Sequence, residues 1–362
     1  MPPDWRAERQ RALRAALAAE GLDGLLVTHL PNIRYLTGFT GSAGLLLVQA
    51  DAALLVTDFR YATQAPQEVG ATARVEIDQA NVWQRLLQHL GDPPLGTLGI
   101  EAHVLTVRDA QRVEGTVHGR TVSTTDLVER LRAVKDAGEV AAIRCAAALA
   151  QEALAEVVPV VRVGRTEREI AAELEGALRR RGSEWHPFPT IVASGPRSAL
   201  PHARTSGRRI EAGDWLLIDF GAQVDGYCAD LTRTVVVGRR ADERQRAIYE
   251  LVRSAQTRAV NHLRPGMTGR EGDALAREVI AERGFGHAFG HSLGHGLGLE
   301  VHEGPRLAPT ADAPLPLHAV VTVEPGIYLP GWGGVRLEDD VYLGRAGPEC
   351  LSDNRTELVE LV

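Results

Sequence analysis

Acidic residues interrupt the sequence where it otherwise reads as buried strand. Asp219 lies inside the apolar run WLLIDFGA, and Asp230 opens the run that ends in TVVV, 11 residues further on. The two runs are joined by a turn containing Asp225-Gly226, residue types that accept the backbone of a tight hairpin turn. Their carboxylates can therefore face each other across a strand pair. The design recurs in HAVVTVEPGIYLPGWGGVRLEDDVYLG, where Glu324 closes one apolar strand and Glu338 sits in the next, after a Gly-rich turn. An acid embedded among Leu, Ile and Phe is costly to bury unless a cation compensates it, and no Lys or Arg adjoins Asp219. A turn-capping acid would account for one such hairpin, but not for two.

Between the hairpins, FGHAFGHSLGHGLGLEVHEGP places His287, His291, His295 and His302 within sixteen residues. Imidazole supplies either a metal ligand or a group that titrates near neutral pH, and glycine lets backbone approach a ligand closely. Residue types alone do not choose among the four histidines. Four carboxylates in one pocket repel one another, and two divalent cations would balance them. Oxygen-rich ligation with an imidazole suits Mn²⁺, Co²⁺ or Zn²⁺. A pair of such ions generates hydroxide at neutral pH and polarises a carbonyl, so hydrolysis of an amide is the expected chemistry. A mononuclear iron site of two histidines and one carboxylate would leave three acids unexplained.

The elements that must position these residues follow an α/β pattern. Residues 6–20 repeat apolar positions at helical spacing; GLLVTHLPNIRYLTGF, GLLLV and AALLVTDFRYA read as short β-rich runs, VWQRLLQHL as a helix and TLGIEA as a strand. From DLVERLRAVKDAGEVAAIRCAAALAQEALAEVV the pattern turns long and helical. Two domains are expected, residues 1–127 and 128–362. The second contains an echo: AIRCAAALAQ from Ala142 resembles AIYELVRSAQ from Ala247, and the segment from Gly164 resembles that from Gly266. This predicts two related α/β halves around a common sheet with the site between them.

Composition narrows the function classes. The chain has 362 residues, 44% hydrophobic and 24% charged, as expected of a globular protein, and a formal net charge of -7 that offers no basic face for nucleic acid. Cys145, Cys228 and Cys350 are widely spaced, without a CxxC, which points to a reducing cytoplasm and away from a disulfide framework or a thiolate zinc site. The amphipathic N-terminal segment lacks the features of a signal peptide, and no run is apolar and long enough to span a membrane. Lys135 is the sole lysine, so arginine carries nearly all the positive charge.

The blocks DFGAQVDGYCADLTRT, HSLGHGLGLEVHE, VEPGIY and GVRLEDD resemble the signatures of the "pita-bread" metallopeptidases. The resemblance covers residues 130–362, and NIRYLTGFTGSAG with LLVTDFRY resembles the family's smaller N-terminal creatinase-like domain. The proline-specific branch is the most similar, meaning the Xaa-Pro aminopeptidases and the Xaa-Pro dipeptidases, or prolidases. It implies a small α/β domain followed by a pseudo-twofold α/β domain around a curved sheet. It also implies a dinuclear site in which Asp230, His295, Glu324 and Glu338 bind one metal, and Asp219 binds the other with Asp230 and Glu338 as bridges. Glu324 would double as general base. His291 and His302 would contact substrate and stabilise the tetrahedral intermediate. His202 and Arg336 would also contact substrate, and His287 would support the site.

The same resemblance implies a homodimer or larger assembly acting on short proline-containing peptides. An X-Pro bond has no N–H and a fixed φ, so the ring needs a preorganised pocket. The compact length favours the dipeptidase, with an aminopeptidase on longer peptides as the alternative. The clamp for a free carboxylate stays open among Arg197, Arg204 and Arg336. A metal-free creatinase-like hydrolase would not keep the ligand acids, and a peptide-binding pseudo-enzyme would have lost one or more of them.

Overall fold

The structure, a computed structural model, describes residues 5–91, 95–352 and 356–362. They form two compact units, Met1–Arg132 and Ala133–Val362.

The first unit is built on a six-stranded mixed sheet. Its strands are β1 (Gly24–Val27), β2 (Leu45–Gln49), β3 (Ala53–Asp58), β4 (Arg74–Asp78), β5 (Thr97–Glu101) and β6 (Arg120–Thr124), in the order β4-β3-β2-β1-β5-β6. Six helices accompany it: α1 (Trp5–Ala19), α2 (Leu30–Thr37), α3 (Gln64–Val69), α4 (Val82–Gly91), α5 (Val107–Glu114) and α6 (Leu127–Arg132). One expectation fails here. NIRYLTGF reads as strand, but Leu30–Thr37 is the helix α2, with Pro31 in its first turn and Gly38 closing it at φ 80°. Proline preset the first turn, and Ile33, Leu36 and Thr37 bury one helical face.

The second unit carries the internal echo in full. Helices α7 (Ala137–Val157) and α8 (Glu167–Arg180) precede β7 (Ile191–Ser194), β8 (Trp215–Phe220), β9 (Gln223–Val224), β10 (Tyr227–Cys228) and β11 (Leu231–Val237). Helices α9 (Glu243–His262) and α10 (Gly269–Glu282) precede β12 (Gly294–Gly296), β13 (Glu303–Leu307), β14 (Val320–Val323), β15 (Gly326–Leu329), β16 (Gly333–Arg336), β17 (Asp339–Gly344), β18 (Gly347–Cys350) and β19 (Glu360–Leu361). The helix starts match pairwise. Asp136 and Asp242 begin α7 and α9 with capping boxes to Glu139 and Gln245, and Thr166 and Thr268 begin α8 and α10 with boxes to Glu169 and Glu271. Each helix pair packs on its own sheet, β19-β11-β8-β7 or β13-β12-β14-β17-β18, and each has its own apolar core.

The hairpins that carry the acids occupy equivalent places in the two halves. Between β8 and β11, the chain leaves the sheet as the small ribbon β9–β10, whose turn has Asp225 at φ 49° and Gly226 at φ 76°. Between β14 and β17, it leaves as the ribbon β15–β16. The glycines of the histidine-rich segment serve the sheet. A Cβ on Gly294 would lie 2.0 Å from the Thr322 carbonyl oxygen, and one on Gly296 would lie 2.1 Å from that of Gly304. They admit the backbones of β14 and β13 rather than a ligand.

This packing predicts that Gly294→Ala costs upwards of about 2 kcal/mol, because a methyl group cannot enter so tight a gap without shifting backbone. Thermal unfolding should show a melting temperature lower by at least roughly 4 °C; an unchanged value would mean that the two strands separate freely.

Candidate metal centre

Strand register brings the first two acids together. Thr232 pairs with Asp219 across β8 and β11. Residues two apart on a strand share a face, so Asp230 projects on the same side as Thr232 and Asp219. In the other half, Thr322 pairs with Asp340, which places Glu324 and Glu338 beyond them on one face of β14 and β17. Thr232 then joins the halves. It forms an isolated bridge with Glu338, its carbonyl accepts the Glu338 N–H at 3.1 Å, and its Oγ1 donates to Glu338 Oε2 at 2.5 Å. Glu324 follows Asp219 by 105 residues, the offset between the echoed segments that start at Ala142 and Ala247.

His295 arrives on β12, between the acids of the two halves. Its Nε2 lies 3.7 Å from Asp230 Oδ2 and 3.6 Å from Glu324 Oε1. Its Nδ1 is 3.0 Å from the Gly296 carbonyl oxygen. A carbonyl can only accept, so Nδ1 carries the proton and the Nε2 lone pair points at the carboxylates. Burial pushes His295 down to about 4, which keeps the ring neutral, the form that binds metal. Asp230, His295 and Glu338 each offer a ligand atom, all within 4.8 Å of one another.

The electrostatics are those of an over-filled acidic pocket. Burial, and next Glu338, raise Asp230 and Glu324 well above the ordinary carboxylate range. Burial and then Asp219 raise Glu338 to about 8. The donor set fits divalent cations: four converging carboxylates, one imidazole with its lone pair aimed inward, and one guanidinium as protein counter-charge. That guanidinium is Arg336, which is buried. It donates to Asp219 Oδ2, to Tyr328 Oη at 2.8 Å, to Thr232 Oγ1 at 3.1 Å and to the Pro201 carbonyl at 3.3 Å. Four of its five donors are thus engaged by protein, so Arg336 fixes Asp219 and Tyr328 at the cavity wall.

Tyr328 passes the arrangement on, with Oη 2.9 Å from His291 Nε2. His291 Nδ1 faces the Ser292 carbonyl at 2.8 Å, so Nε2 accepts the tyrosine proton. His291 is pushed down to about 4 by burial, with Arg336 the next cause, and its Nδ1 lies 3.9 Å from Glu324 Oε2. These groups open onto a cavity of about 850 Å³. Its walls include all five expected ligands together with His202, His291, His302 and Arg336. His302 stacks edge-on against His295, with ring centroids 4.4 Å apart. An apolar wall is formed by Phe188, Pro189 and Ile191.

Other expectations resolve differently. His287 is exposed on a short 3-10 turn, outside the residues that line the cavity. Arg197 pairs with the buried Glu167 at 3.2 Å. Arg204 is exposed at the cavity wall, and so is Arg306, which sequence reasoning missed. Arg306 pairs in register with His295 across β12 and β13. Its signal was weak, being one arginine among many in a Pro-containing segment. Thr232 and Tyr328 were missed for another reason: both residue types are ordinary strand formers.

With this geometry in hand, the class is defined. Residues 141–345 match metallopeptidase family M24, residues 9–134 match the Creatinase/Prolidase N-terminal domain, and the chain belongs to this metallopeptidase family. It is 35% identical to the Xaa-Pro dipeptidase of Pyrococcus horikoshii over 98% of this chain and 100% of the relative. The Xaa-Pro dipeptidase from Bacillus anthracis superposes with a TM-score of 0.95 at 40% identity, covering 98% of this chain and 100% of that one. The X-Pro aminopeptidase from Thermotoga maritima superposes with a TM-score of 0.88, also at 40% identity, covering 94% and 98%.

The raised carboxylates set a pH dependence. Glu338 keeps a proton in the folded, metal-free protein that it loses on unfolding near its ordinary value of 4.5. That contribution to stability is complete below pH 4.5 and is lost as pH rises through about 8. Bound cations replace the proton. The melting-temperature gap between metal-loaded and chelator-treated protein should therefore widen from pH 6 to pH 8; a gap that narrows would contradict this account.

Proposed function

We propose that the chain hydrolyses the Xaa-Pro peptide bond of dipeptides with two divalent metal ions. The observation that carries this reading is the convergence of Asp219, Asp230, His295, Glu324 and Glu338 on one cavity floor. Asp230, His295, Glu324 and Glu338 would hold one ion, and Asp219 the other, with Asp230 and Glu338 shared. Such a pair supplies a nucleophile at neutral pH and Lewis acidity toward a carbonyl; manganese, cobalt and zinc all suit these ligands.

The protein's own groups do the rest. Glu324 takes the proton of the attacking water and delivers it to the departing proline nitrogen, a role suited to a carboxylate beside the reacting centre. His291 and His302 face the cavity where the tetrahedral intermediate would form; His302 would donate to its oxygens, and His291 would do so on exchanging its Ser292 carbonyl or Tyr328 partner for substrate. Arg336 and Tyr328 are positioning residues, since they act through Asp219 and His291. The proline ring packs on the wall of Phe188, Pro189 and Ile191, with His202 at the rim. A free substrate carboxylate meets positive charge at Arg204 and Arg306, and this favours the dipeptidase. The 40% identity to the Thermotoga maritima aminopeptidase supports the second reading, cleavage at the N-terminus of longer peptides. Among the described residues no helix is long and apolar enough to cross a membrane. With that, the spaced cysteines and the family resemblance support a cytoplasmic homodimer acting on short peptides.

Chelation should abolish hydrolysis of Ala-Pro, with Mn²⁺ or Co²⁺ restoring it; full activity in metal-free protein would exclude the mechanism. Glu324→Gln should retain the fold but lose roughly 10²–10⁴-fold in kcat. A variant near wild type would remove Glu324 from the proton path. Arg306→Ala should raise KM for Ala-Pro by roughly 10–100-fold, the loss of one charge-assisted contact, and leave Ala-Pro-Ala little changed. Equal effects on both peptides would instead favour the aminopeptidase.

A further inference from the structure

A second convergence of metal-ligating side chains lies in the first unit. His29 precedes α2, His103 follows β5, and Glu129 lies on α6. Each presents a ligand atom, and all three atoms lie within 4.8 Å of one another. His103 Nε2 is 3.0 Å and His29 Nδ1 is 3.8 Å from Glu129 Oε1. Tetrahedral ligands at the usual zinc bond lengths of ~2.0–2.1 Å lie about 3.4 Å apart, a value that falls between these two distances.

The three side chains hang on a rigid frame. Asn32, fully buried, donates from Nδ2 to Glu129 Oε1 and to Glu101 Oε1, and its Oδ1 accepts from Arg132 at 2.7 Å. Glu101 also accepts the backbone N–H groups of Thr28 and His29 at 2.7 and 2.8 Å. The approaches of α2 and α6 and the end of β5, two residues before His103, are therefore tied to one buried polar knot. Partners of this kind hold ligating groups in place before an ion arrives.

We propose that His29, His103 and Glu129 form a binding site for one zinc ion, separate from the carboxylate-rich centre of the second unit. Two imidazoles and a carboxylate suit zinc better than magnesium or calcium, which prefer all-oxygen shells. With the His103 side chain 35% exposed, the remaining position opens to water. The ion would clip together three segments distant in sequence.

Full-length protein, stripped by chelation, would be dialysed against micromolar Zn²⁺ with no other ligand added, and bound zinc counted by atomic absorption. His103→Ala and His29→Ala should each bind one zinc per chain fewer than wild type, while zinc held by the second unit is common to all three proteins. Circular dichroism and melting curves establish that the variants are folded. Equal zinc counts in all three would overturn the site and leave a hydrogen-bonded His–Glu cluster. Loss in His103→Ala alone would overturn it too, because zinc would then sit on an isolated surface histidine.

Discussion

The second unit is organised around mutual repulsion among buried carboxylates. Asp219, Asp230, Glu324 and Glu338 face one cavity and share one buried guanidinium, that of Arg336. Taking this much negative charge out of water is unfavourable unless protons or cations offset it. The protein tolerates the arrangement because each acid has a defined partner: Asp219 has Arg336, Glu338 has Thr232, Glu324 has Thr322, and the Asp230 backbone is tied to Asp340. These contacts orient the acids without neutralising them. The residual charge is what a pair of divalent ions would balance.

The internal repeat is what makes such crowding possible. A single hairpin can present two acids on one face, but four acids require two sheets facing a common cleft. Duplicated helix pairs, with matching capping boxes, brace each sheet from outside, so the inward faces are free to carry polar residues. The bridge of Thr232 to Glu338 links one half directly to the other, and Trp215 and Val236 of the first half join the apolar core of the second. The chain Arg336 to Tyr328 to His291 extends this order outward, so the rigidity of the acidic floor reaches the histidines at the cavity wall.

Local signals were readable where one feature dominated. The turn at Asp225-Gly226, the long amphipathic helices and the acids within apolar strands each have a local cause that appears in adjacent residues. NIRYLTGF misled because Ile, Tyr and Leu favour strand, while Pro31 and Gly38 determine the two ends of a helix. His287 shares the spacing of its neighbours, but it is absent from the cavity lining. It lies on a turn before β12, outside the strand geometry that aims His295 inward.

The sequence alone determined the chemistry on offer: four misplaced acids, a cluster of histidines, and a repeat that implied two halves. Those properties are written in residue type and period, which are local. The tertiary structure decided which imidazole turns its lone pair to the acids, which of many arginines is buried against Asp219, and which remain exposed at the cavity wall. It also assembled His29, His103 and Glu129 from three separate segments. Such outcomes depend on strand register and on packing between residues far apart along the chain, and no spacing along the chain encodes them.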